Sequence, residues 1–400
     1  MKKTHLSLLL AGIAMFTGHH YYKATSTTAP TLTIQDQSGS GEVIYWGIIG
    51  LGNTDSANWY YLDHTTQSVT ITTKGQQLGS IFTALTATTT INLPKLSSAR
   101  VYFAVGQPLT STPFASAADI VLPNFIGADP NSGIIYDKFE FTYNDSMGFV
   151  NTTLVDYFAI PMGVTLTGNQ KGIQNLGRFT SPRDTILGQM AASSAQYAAL
   201  VVTSTAYAKT KYIRGVSPIA PSANYVAKGA GLKFDADEYY GFYIDSIWSA
   251  YSKPGRTWDI NLQAAYGVSA TGRVIGKDFV FADTAGKTYT ITKPSGFDLL
   301  GCTGVFVPVT YGAGVYPQID GIIKRDVAAA MNRSVAQAVS QDKCGQVFYT
   351  QAPYNEYAKV VHANSYDGLN YAFPYDDVCD GSSGMGDTEP VNITATLLPW

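Results

Sequence analysis

The stretch KFEFTYNDSMGFVNTTLVDYFAIPM, residues 138–162, decides how this chain is read. Along 139–144 the side chains alternate with the two-residue period of a strand. Phe139, Phe141 and Tyr143 point to one face, and Glu140, Thr142 and Asn144 to the other. The first face is apolar enough for a core. The second, one acid and two hydrogen-bonding groups, suits the floor of a polar cleft. After a turn at 144–148, a second extended run is expected over 153–160. The same period there sets Asp156 on a face with Phe158 and Ile160, away from Val155 and Tyr157. A hairpin-like pairing of the two runs would bring the carboxyls of Glu140 and Asp156 to opposite sides of one groove. Two such carboxyls are the minimum equipment for cleaving a glycosidic bond.

Outward from this stretch the texture is β. Short strands are expected at 43–49, 69–73, 90–93, 100–105 and 120–122, with Gly, Pro, Asn and Asp at the joins, as in DPNSG at 129–133. Near Thr180 the texture changes. Residues 182–199 have helical character. Residues 234–252 read as an amphipathic helix, opened by a capping-box arrangement of Asp235 and Glu238 and stopped by Pro254-Gly255. Strands follow at 258–268 and 277–292, the second holding a turn signal at Ala285-Gly286. Ile319, Ile322, Ile323, Val327, Met331, Val335 and Val339 recur at helical spacing and predict a second long helix over 319–339. From 347 the chain returns to strands and turns. No repeat of fixed period is found.

Four hundred residues suit two domains or one elaborated β architecture. A net charge of −3 with 14% charged residues argues against nucleic acid, which needs clustered Lys and Arg. A surface rich in Tyr, Thr, Ser, Gly and Asn suits neutral sugars instead, although Tyr and Thr are also simply good strand formers. The N-terminus begins MKK and runs into an apolar segment at 6–16, too short to span a bilayer and of the length of a secretory leader. Residues 1–30 are therefore expected to be a leader, and the mature chain to be secreted, without membrane attachment. Of the three cysteines, Cys302, Cys344 and Cys379, two could pair in an exported protein and leave one over. Their spacing fits no zinc site, metal ligands do not cluster, and no phosphate-binding loop is present.

The 138–162 segment resembles the glycoside hydrolase family 64 β-1,3-glucanases, whose catalytic region belongs to the thaumatin-like structural group. The family pattern is an acid in E-x-T-x-N on one strand, then an aspartate in T-x-x-D leading to a hydrophobic-Pro end. Here these are Glu140-Phe-Thr142-Tyr-Asn144, Thr153-Leu-Val-Asp156 and Ile160-Pro161-Met162. YAFPYDDVCDGSS at 371–383 is similar to the thaumatin-group ending, and FDADEYYGFYIDSIWSAYSKPG at 234–255 to a helix of the family's second domain. Two features depart from the pattern. Phe149 stands where a tryptophan is expected near the turn, and the rich disulfide set of plant thaumatin-like proteins is missing.

The resemblance implies a β-rich α+β fold: a thaumatin-like β-barrel or sandwich domain, 31–165 together with 346–400, and a mixed α/β domain, 166–345, facing it across a wide groove. It also implies an inverting endo-β-1,3-glucanase acting on linear β-1,3-glucan as a monomer, with no metal or cofactor. Glu140 would be the acid and Asp156 the base, and Thr142, Asn144, Phe149, Thr153 and Asp376 would bind substrate. The bland alternatives are that Glu140 pairs with a Lys or Arg, that Asp156 caps a turn, and that Asn144 serves its own turn. A non-catalytic glucan-binding protein using the same groove is the second functional reading. A structural cell-surface β protein is the third.

Overall fold

The computed structural model describes residues 29–125, 129–219, 234–308 and 315–400. The expected leader, apart from residues 29 and 30, lies outside them.

Two sheets close on one apolar core. The larger has eight strands, with the path Met385–Asp387, Gly148–Asn151, Tyr136–Tyr143, Leu96–Val105, Ile44–Gly52, Trp59–Asp63 and Ser68–Ile71, and Thr83–Ala84 pairing beside Ile44–Gly52. Every pairing along it is antiparallel. The smaller runs Gly172–Gln174, Met162–Gly168, Pro390–Leu397, Thr31–Asp36 and Thr88–Asn92. In it the first and last strands of the described chain lie side by side and parallel. Both sheets feed one cluster, with Ile48, Phe103, Phe139 and Phe141 from the first and Leu32, Ile34, Val164 and Ile393 from the second. The alternation read along 139–142 is what directs Phe139 and Phe141 into this core and leaves Glu140 and Thr142 half-buried on the other face.

A second core gathers the helices and two further sheets. Helix Ala236–Tyr251 buries Tyr240, Ile244, Ile247 and Trp248. It shares this core with the four-stranded meander of Trp258–Leu262, Val268–Ile275, Asp278–Asp283 and Thr288–Thr292, with helix Val315–Asn332 and with helix Glu356–Ala363. A small sheet of Tyr157–Phe158, Tyr212–Val216 and Val201–Thr203 sits where the two cores meet. Tyr157 belongs to the first cluster and Phe158 to the second.

Several elements depart from the sequence expectation. Residues 153–160 are not one strand. Thr153 makes an isolated parallel bridge to Tyr371, and regular pairing resumes only at Tyr157–Phe158. The hairpin partner of Tyr136–Tyr143 is Gly148–Asn151, so Asp156 does not share a pleated face with Phe158. Asp156 is exposed while residues 157–160 are buried. Residues 120–122 form no strand. The helix expected over 319–339 ends at Asn332, because Ser334 takes a left-handed conformation with φ 57°. Helix Glu356–Ala363, capped by the Asn355 side chain accepting from Ala358 N, lies in a region read as strands. Asp235 caps Glu238 N as expected, but its own amide donates to Gln196 Oε1 and not back to Glu238. Cys344 and Cys379 form a disulfide, and Cys302 is a buried free thiol.

Candidate active site

Three neighbouring strands set Arg100, Glu140 and Asn151 directly opposite one another, in one row across the larger sheet. Directly opposed residues on antiparallel strands share a face and touch. Arg100 Nε lies 3.3 Å from Glu140 Oε1, while its Nη1 donates to the Tyr102 hydroxyl at 3.5 Å. The guanidinium is thus divided between two acceptors and does not grip Glu140 with both prongs. The Glu140 side chain remains 32% exposed.

Two positions back along the same strand, and so on the same face, Lys138 reaches Asp156. The distance from Nζ to Oδ2 is 3.4 Å. The Lys138 side chain is only 5% exposed and lies over the Tyr157 ring at 4.9 Å, whereas Asp156 is 50% exposed. Burial alone would pull both cations down. For Arg100 the Tyr102 phenol and the carboxylates of Glu140 and Asp156 reverse this and hold it above its ordinary value. For Lys138 the reversal comes from Asp156 first, then Tyr102 and Glu140. Each cation feels both carboxylates, so Arg100, Lys138, Glu140 and Asp156 form one electrostatic cluster of alternating sign.

The segment carrying Asp156 is tied down from behind. Asp137, on the core side of the strand, accepts from the amides of Lys138, Ala159 and Ile160 at 2.7–2.9 Å. Burial pushes Asp137 up to about 6 against those three hydrogen bonds. Leu154 N donates to Tyr371 O, Ser217 N donates to Asp156 O, and Thr152 Oγ1 bonds Asn370 and Ser383. Backbone groups on both sides of the aspartate are therefore spent on fixing it.

The other expected site residues divide. Thr142 and Phe149 are opposite one another, two steps along the ladder from Glu140 and Asn151 and on the same face, and both are half-buried. The Thr142 hydroxyl accepts from Ser98 N at 3.0 Å. Thr153 is buried at its bridge to Tyr371. Asn144 closes the hairpin, and its Oδ1 accepts from the amides of Ser146 and Met147, the turn role that an Asn at such a position commonly takes. Asp376, expected to line the groove, is 0% exposed. Its Oδ1 accepts from Arg333 at 2.9 Å, and its Oδ2 faces His362 Nε2 and Ala372 N, each at 2.8 Å. A carboxylate held by two cations and an amide is satisfied inside the protein, which is why it turns inward. Its neighbour Asp377 is partly exposed and pairs with Arg325.

Arg100, Lys138 and Asn151 were not singled out from sequence. Lys138 carried a signal, since it shares the face of Glu140 by the two-residue period. Arg100 and Asn151 reach Glu140 only through strand pairing. The expectation that a surface acid pairs with a basic residue also holds, for Glu140 with Arg100. Among the described residues no group of three or more His, Cys, Asp or Glu side chains could hold a metal ion.

The family model for β-1,3-glucanases of glycoside hydrolase family 64 matches residues 29–397. The chain is 28% identical, over 321 residues and 78% of its length, to glucan endo-1,3-beta-glucosidases of Arthrobacter sp. (strain YCWD3) and of Cellulosimicrobium cellulans. It spans about half the length of those two relatives, 54% of each. Among solved structures it is similar to a laminaripentaose-producing β-1,3-glucanase in complex with laminaritetraose, with TM-score 0.77, 25% identity, 94% of this chain and 99% of that one. A family 64 β-1,3-glucanase domain from Clostridium beijerinckii shares the fold, with TM-score 0.71, 23% identity, 94% of this chain and 99% of that one. With its family's model matched along nearly all of the described residues, and with Glu140 and Asp156 drawn into one cluster, this chain belongs to the glycoside hydrolase family 64 β-1,3-glucanases.

Proposed function

We propose that the chain is a secreted endo-β-1,3-glucanase that hydrolyses linear β-1,3-glucan with inversion, Glu140 acting as general acid and Asp156 as general base. The observation that carries this reading is the cluster itself. Two partly exposed carboxyls come from different segments, and each is held by its own cation. Asp156 is the more exposed of the two and its carboxylate lies beside the Lys138 ammonium, open to the water that a general base must activate. Arg100 makes a single contact to Glu140 and stabilises the carboxylate left behind once the proton has passed to the leaving oxygen. Thr142, Phe149 and Thr153 would contact the sugar chain, Phe149 by stacking.

In this reading the β core is a thaumatin-like domain built from 31–165 with 346–400, the block at 166–345 faces it, and the substrate lies in a wide groove between them. The protein works as a monomer without metal or cofactor.

Reducing-sugar release from laminarin, set against carboxymethylcellulose and chitin, tests the assignment. Laminarin alone should be cleaved at a substantial rate, and proton NMR of the first-formed reducing ends should show the α-anomer. Equal rates on β-1,3- and β-1,4-glucan would overturn the substrate. Binding of laminarin without any release of reducing ends would make the chain a glucan-binding protein.

A further inference from the structure

Asn151 sits directly across from Glu140 on the next strand, on the side opposite Arg100. Its Oδ1 is buried and has no hydrogen-bond partner. A buried acceptor left unmade is costly, and native structures rarely tolerate one without a reason. An ionised Glu140 offers only acceptors and cannot satisfy it, whereas a protonated Glu140 has one O–H to give.

Building on the reading of Glu140 as the acid, we propose that Asn151 is a positioning residue that holds the proton of the general acid. When Glu140 carries the proton that it must deliver, its carboxylic O–H donates to Asn151 Oδ1, with Arg100 on the other side of the carboxyl. When the glucan binds, the carboxyl turns that O–H to the glycosidic oxygen. As the bond from the anomeric carbon to that oxygen breaks, its electron pair goes to the oxygen, which takes the proton, and Glu140 is left as a carboxylate beside Arg100. Water activated by Asp156 supplies the new bond at carbon, and its proton passes to Asp156. Proton exchange with solvent then restores both groups, and Asn151 Oδ1 again accepts the Glu140 O–H. Arg100 and Asn151 thus serve the two protonation states of one carboxyl from its two sides.

The ladder fixes the strand geometry around Asn151, and Thr152 is anchored through Asn370 and Ser383. A change of the amide is therefore expected to leave the backbone in place. The test compares Asn151→Leu, of similar size but without an acceptor, with Asn151→Asp, which keeps one. Each is assayed on laminarin and on a β-1,3-glucooligosaccharyl fluoride, whose leaving group needs little help from a proton. Asn151→Leu should lower kcat on laminarin roughly tenfold, the order set by one lost hydrogen bond to a reacting group. KM should stay unchanged, and the fluoride rate should remain within about twofold of wild type. Asn151→Asp should keep most of the laminarin activity. Equal losses on both substrates, or no loss on laminarin, would overturn the proposal. If Asn151→Leu does not fold, Asn151→Ala, which also lacks the acceptor, is read in its place against the same expectations, and a loss confined to KM would contradict the proposal. Glu140→Gln run alongside separates the two claims. If that variant turns over laminarin near the wild-type rate, the assignment of the acid has failed, and not merely the role of Asn151.

Discussion

Lys138 Nζ and Asp156 Oδ2 are 3.4 Å apart, joining a strand of the larger sheet to the irregular segment that follows its hairpin. The ammonium is buried and the carboxylate half-exposed, so the contact orders Asp156 more than it stabilises the fold. Lys138→Met, which keeps the buried stem, should lower kcat by roughly tenfold or more and shift the melting temperature little. Lys138→Arg should recover part of the loss. Steady-state kinetics and a thermal melt on the same samples check this, and a stability loss with normal kcat would refute it.

Phe149 stands across from Thr142 beside the Glu140 row. If it stacks on a sugar ring, Phe149→Ala should weaken binding of laminarioligosaccharides about three- to tenfold, while Phe149→Trp should match or exceed wild type. Calorimetric titration reads this directly. Unchanged affinity in Phe149→Ala would remove the residue from the substrate path.

Both ring nitrogens of His362 face acceptors, Nε2 the Asp376 carboxylate and Nδ1 the Gly368 carbonyl, so the ring acts as a double donor and is the cation. Burial by itself would lower His362, but Asp376 outweighs it and raises the imidazole above its ordinary value. A group raised on folding contributes stability that is fully present below its unfolded value, about 6.5, and is lost as pH climbs through the raised one. Asp326, pushed up to about 7 by burial, adds a slope of the same sign. The melting temperature should therefore fall from mildly acid to mildly alkaline pH, and His362→Gln should flatten that fall. Parallel curves for the two proteins would contradict the assignment.

The disulfide between Cys344 and Cys379 closes a loop with a sequence separation of 35 and borders the turn that carries Asp376. Replacing both cysteines by serine should cost about 2–4 kcal/mol in denaturant unfolding. An unchanged midpoint would mean that the surrounding contacts hold the loop by themselves.

What could be read from the chain followed local periodicity. Phe139 and Glu140 fall on opposite faces because a strand must alternate, and Asp235 caps its helix because its side chain can reach Glu238 N. Reading failed where distant partners decide. Residues 153–160 look extended, but bonds to Tyr371, Ser217 and the Asp137 carboxylate break them into a bridge and a short strand. The apolar repeat past Asn332 ran on through Val335 and Val339, yet the left-handed Ser334 ends the helix, and Val335 is buried while Val339 is exposed. Asp376 was expected in the groove because nothing local announces Arg333 or His362 as its partners. The acids of the candidate site were legible as a pattern. Arg100 and Asn151 were not, since strand register alone brings them to Glu140.

The central claim is that Glu140 and Asp156 perform the cleavage together. Reducing-sugar release from laminarin by Glu140→Gln and Asp156→Asn, with binding of the same glucan titrated in parallel, tests it most directly. Each variant should lose at least roughly a hundredfold in kcat, the low end for general acid–base catalysis, and bind glucan as wild type does. Turnover near the wild-type rate in either variant would contradict the account.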